Sequence, residues 1–75
     1  MSAYDYALEL VKGKEFNDKS ELDEIVRKIY SNYDVECELC YAGSYDSTGY
    51  DCDYYALVIV EWGTIHSIDV QVENY

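Results

Sequence analysis

The chain has 75 residues, 16 of them acidic and five basic, for a net charge of −11. That length fits one acidic domain, residues 1–75, with a small core, and a hydrophobic content of 49% argues against a disordered tail. All five cations (Lys12, Lys14, Lys19, Arg27, Lys28) fall in residues 1–28, while residues 29–75 hold nine acids and no Lys or Arg, which argues against direct binding to nucleic acid or to an anionic membrane.

No apolar stretch is long enough to cross a bilayer, and the N-terminus lacks a signal-peptide pattern. The expected location is therefore the cytoplasm, and the three cysteines are expected as reduced thiols.

The first predicted helix spans residues 2–12. Ser2 suits the N-cap, with Asp5 three residues on, as in a capping box. Tyr4, Ala7, Leu8 and Val11 fall on one helical face, with Tyr6 and Leu10 off it. Gly13 fits the position after the helix, and Lys12 and Lys14 suit its negative end. Phe16 is expected to pack in the connector.

A second helix is predicted over 20–33, capped by Ser20, with Glu21, Asp23 and Glu24 in its first turn. Leu22, Ile25, Val26, Ile29, Tyr30 and Tyr33 make a continuous apolar stripe. Arg27 and Lys28 stand four residues after Asp23 and Glu24, so they are expected to be paired within the helix.

Residues 35–41 alternate apolar and polar and read as an edge strand, with Glu36 and Glu38 on its polar side. Residues 42–53 read as a long loop rich in Tyr, Ser, Gly and Asp, a composition suited to protein binding. Residues 54–60 are apolar on both faces, and Ile68, Val70 and Val72 alternate with Ser67, Asp69, Gln71 and Glu73. These two runs form a hairpin. A two-residue Trp62-Gly63 loop would place Trp62 at positive φ, so a three-residue Glu61-Trp62-Gly63 loop is preferred. That register puts Tyr54, Ala56, Val58 and Val60 on the face of Ile68, Val70 and Val72, with His66 beside Val58 and Val60. In either register, apolar side chains of the middle strand share a face with polar residues of the last strand, which fits either a minor second cluster under a loop or a partner or dimer surface. The expected fold class is α+β: two N-terminal helices packed on one face of a three-stranded antiparallel sheet, in the order ααβββ.

Catalytic signatures are lacking, and the expected protein is not an enzyme. Cys37 and Cys40 have C-x-x-C spacing and, with Cys52 and His66, would make four zinc ligands; a small zinc-stabilised domain is one alternative. Cys37 and Cys40 would face opposite sides of a regular strand, however, and the motif lacks the strand-to-helix context of a redox site. Asp46, Asp51 and Asp53 do not match a calcium loop. No metal or other cofactor is therefore expected. The remaining signal is an acidic and aromatic surface: Glu36, Glu38, Asp46, Asp51, Asp53, Asp69 and Glu73, with Tyr45 and Tyr50 as anchors. Alternate strand carboxylates stand about 6.8 Å apart, a regular row that suits a groove built for a nucleic-acid backbone.

In size, acidity and tyrosine content the chain resembles the small phage-encoded inhibitors of host defence, the anti-CRISPR proteins and anti-restriction DNA mimics. The resemblance covers the whole chain as composition and architecture and carries no motif. It implies stoichiometric inhibition in the host cytoplasm, by binding a CRISPR effector and blocking its DNA site. The residues themselves point to a basic, nucleic-acid-handling partner. The alternative is an interaction module or homodimer whose acidity serves solubility.

Overall fold

The computed structural model describes residues 2–73, and of Tyr50 the backbone alone. Two helices, α1 (Ala3–Val11) and α2 (Lys19–Asn32), precede three strands, β1 (Glu36–Ser47), β2 (Tyr50–Glu61) and β3 (Thr64–Glu73). The strands form one antiparallel sheet in the order β1-β2-β3, so β1 is an edge strand. Among the described residues, no helix is long and apolar enough to cross a membrane.

Helix α1 starts where Ser2 caps it: the Asp5 amide donates to Ser2 Oγ at 3.1 Å, and the hydroxyl donates to Asp5 Oδ2 at 2.9 Å. Its most buried residues are Ala3 and Ala7, one turn apart. The larger Tyr4, Leu8 and Val11 pack only partly against the core, as do Tyr6 and Leu10, which stand off the predicted stripe. Small residues at the buried positions allow close approach of the helix. Gly13 ends the helix at φ 70.

The N-cap of α2 is Asp18, not Ser20. Asp18 accepts from the Ser20 amide at 3.0 Å, and Glu21 reaches back to the Asn17 and Asp18 amides at 2.7 and 3.2 Å. The reciprocal Asp-x-x-Glu box satisfies more orphan amides than Ser20 with Asp23 would. Leu22, Ile25 and Ile29 are buried and Val26 and Tyr33 partly so, while Tyr30 is 55% exposed. Tyr30 lies over the edge of the sheet instead, where its hydroxyl donates to the Cys37 carbonyl at 2.6 Å. Arg27 pairs with Glu24 one turn back, at 2.7 Å, rather than with Asp23.

The segment 42–53, predicted as a loop, is paired strand. β1 runs on to Ser47 and β2 begins at Tyr50, joined through Thr48 and Gly49. A bulge between Tyr41 and Gly43 adds one residue to β1. The tyrosines favour extended backbone, and pairing satisfies amides and carbonyls that a loop would leave to water.

The β2–β3 hairpin has the two-residue loop that the bulk of Trp62 argued against: Trp62 lies at φ 54 and Gly63 at φ 74, and Glu61 faces Thr64. This register brings Leu57 opposite Ile68 and Tyr55 opposite Val70, the reverse of the predicted faces. Leu57 and Ile59 each carry one methylene more than Val58 and Val60, about 0.8 kcal/mol of burial apiece, and Tyr55 takes the place of Ala56. The buried side chains of both helices and of Phe16 join Cys37, Leu57, Ile59, Ile68, Val70 and Val72 in one core cluster. The Glu73 amide donates to the Phe16 carbonyl at 2.8 Å, so the connector covers the end of the β3 edge.

Candidate partner-binding face

The strand residues that alternate with the core form the outer face of the sheet, and the register fixes its cross-strand rows. From β1 through β2 to β3 the rows run Glu36, Val60, Ile65; Glu38, Val58, Ser67; and Cys40, Ala56, Asp69. Beyond the bulge the row runs Tyr45, Cys52, Glu73. Apolar side chains of β2 thus run down the middle, between acids on β1 and acids on β3. With strands about 4.8 Å apart, the two acidic margins lie about 10 Å from one another. Glu36, Glu38 and Asp69 are exposed and Glu73 is half-buried. Ile65 is 72% exposed beside Val60, so the apolar middle is open to solvent at the hairpin end.

The remaining predicted carboxylates fall on the other side of the distal hairpin. Asp53 is paired with Ser44 and Val72, and Asp46 stands directly opposite Asp51. They share the parity of Tyr55 and Leu57, which is the core side, but stand past the bulge. The seven acids therefore divide into two sets: Glu36, Glu38, Asp69 and Glu73 on the outer face, and Asp46, Asp51 and Asp53 opposite. Tyr45 lies on the outer face and is 50% exposed. The Tyr50 side chain lies outside the described residues. Burial pushes the Tyr55 phenol above its usual range, with Asp53, Tyr41 and Asp23 adding to the effect. The Tyr41 and Tyr55 rings meet edge to face at 5.6 Å.

The four proposed zinc ligands are not brought together. Cys37 is buried in the core, where burial raises its thiol pKa. Cys40 is half-buried on the outer face, and Cys52, of the same parity toward the distal end, is fully buried. His66 is on the core face, opposite Ile59 rather than beside Val58 and Val60, with its ring stacked on Tyr4 at 4.6 Å. Among the described residues, no three His, Cys, Asp or Glu side chains converge as a metal site.

Two residues have roles not foreseen from the sequence. Glu61, expected in a turn, is 8% exposed, and its carboxylate accepts from the Ala3 amide at 2.9 Å. An anion at a helix N-terminus is favoured by the backbone dipole, so Glu61 pins α1 to the end of the sheet. Trp62 is 93% exposed at the hairpin tip. Its signal was already in the sequence: a lone tryptophan placed before a turn glycine.

Comparison with family models, with curated proteins and with solved structures finds no match for this chain.

Proposed function

We propose that the protein is a non-enzymatic, cytoplasmic inhibitor, with both helices against one face of the sheet. Its outer face binds a basic, nucleic-acid-handling protein and blocks that protein's nucleic-acid site. A guide-loaded CRISPR effector is the partner that the resemblance suggests. The observation that carries the reading is the charge layout: every cation lies in residues 1–28, and the sheet presents Glu36 and Glu38 on one margin and Asp69 and Glu73 on the other. Carboxylates carried on paired strands need side-chain ordering alone on binding, so they meet a cationic groove without a backbone-ordering cost.

The test is charge reversal. Glu36→Lys with Glu38→Lys is expected to slow association with the effector and raise the concentration needed to block target DNA, because charges at an interface margin steer the encounter. Unchanged inhibition by the double variant would remove this face from the reading. A second reading, a homodimer or adaptor module, is favoured by the open apolar middle at Val58, Val60 and Ile65. A dimer mass that persists in high salt would support it instead.

A further inference from the structure

We infer that the groove between the β2–β3 turn and the link from α2 to β1 receives an arginine side chain of the protein partner. The inference rests on the reading above for the partner's basic character and adds the contact that anchors it. The groove is lined by Tyr33, Asp34, Val35, Val60, Glu61 and Trp62 and holds about 280 Å³. Its walls differ in kind. Trp62 offers an indole that is 93% exposed. Tyr33 offers a phenol ring held 5.3 Å from the ring of Tyr6. Val35 and Val60 supply an apolar lining for a methylene stem. Of the two carboxylates, Glu61 is engaged with the Ala3 amide at 2.9 Å, whereas Asp34 is exposed and available to a guest.

An arginine satisfies all of these at once. Its guanidinium is planar, stacks on aromatic faces, and pairs with a carboxylate through two parallel hydrogen bonds. Lysine is a more strongly hydrated point charge and fits a flat, ring-walled site less well. The charge around the groove is complementary: Glu36 stands beside Val60 on the outer face, and residues 29–75 contain no Lys or Arg to compete. Trp62 also holds φ 54, a conformation that a bulky residue resists. Asn or Gly would fill that turn position without strain. The chain carries strain at the tip at the one position that puts tryptophan into the lining of the groove that Asp34 also lines.

Trp62 is the only tryptophan, so its emission reports on the groove directly. The full chain is titrated at low salt with a short arginine-rich peptide, with its lysine counterpart, and with a peptide carrying neutral citrulline for arginine. The expected result is a saturable change in Trp62 emission with the arginine peptide, weaker binding of the lysine peptide, and no change with citrulline. Asp34→Asn is expected to weaken the arginine peptide about tenfold, the loss expected of a charge-assisted hydrogen bond, with the far-UV spectrum unchanged. Calorimetry on Trp62→Asn, which suits the turn, is expected to show a comparable loss. Equal affinity of Asp34→Asn and the parent, or an equal response to citrulline, overturns the groove. Inhibition lost in Glu36→Lys/Glu38→Lys but intact in both groove variants would also overturn it, and would leave the outer-face reading standing. Arginine capture in the groove together with full inhibition by the double reversal would do the opposite.

Discussion

Trp62 shows how burial elsewhere outweighs a local preference. Its backbone at φ 54 carries strain of order 1–3 kcal/mol. The register that this strain permits buries Leu57 and Ile59 in place of Val58 and Val60, and places the Glu61 carboxylate on the α1 amides. Trp62→Asn is expected to raise stability by about 1 kcal/mol, because Asn tolerates the left-handed region. Chemical denaturation measures this, and a lower midpoint for the variant would contradict the strain. Glu61 has the opposite weight. Glu61→Ala leaves the Ala3 amide buried without its acceptor and is expected to cost about 1–3 kcal/mol. Amide exchange should locate the loosening at α1 and leave β2 protected; a loss confined to the sheet would contradict the capping role.

At the scale of elements, the distal half of the β1–β2 hairpin stands out. Among the described side chains of residues 43–54 none belongs to the core cluster and Cys52 alone is fully buried, so strand pairing carries most of the hold on this segment. Asp46 faces Asp51 across it, and like charges directly opposite destabilise a strand pair by about 0.2–1 kcal/mol. Asp46→Asn is expected to stabilise the hairpin by that amount at low salt, with the gain shrinking as salt rises. A loss of stability would show that the pair is held by something other than repulsion offset by backbone bonding. Sequence patterning locates both helices, the β2 and β3 runs and the exposed positions of Glu36, Glu38 and Asp69; apolar period and burial agree best in α2 and β3, whereas β2 is apolar on both faces and its pattern does not choose the buried one. It misses the distal strands because, apart from Cys52, the described residues of 42–53 bury no apolar side chain and so carry no apolar alternation. It misses the turn because the bulk of Trp62 is a local signal, while the register is decided by Leu57, Ile59 and Glu61 acting on distant partners. Asp18 goes unseen as a cap because Ser20 satisfies the same pattern two residues later.

At the scale of the molecule, shape and charge run together. The Cα extents are 43 × 18 × 17 Å and the radius of gyration is 12.8 Å, against about 11 Å expected for a compact chain of this length. The long axis agrees with the extended β1–β2 hairpin, and that hairpin belongs to the part of the chain, residues 29–75, that has no Lys or Arg. Contacts made by exposed carboxylates are screened over about 8 Å at physiological ionic strength, so salt separates electrostatic docking from apolar docking. The most direct measurement is competition: the protein is titrated against a guide-loaded effector, and target-DNA binding is read at low and moderate salt. Loss of DNA binding near one inhibitor per effector, weakened by salt and by Glu36→Lys/Glu38→Lys, is the predicted result. DNA binding unaffected at every ratio across several effector types would contradict it.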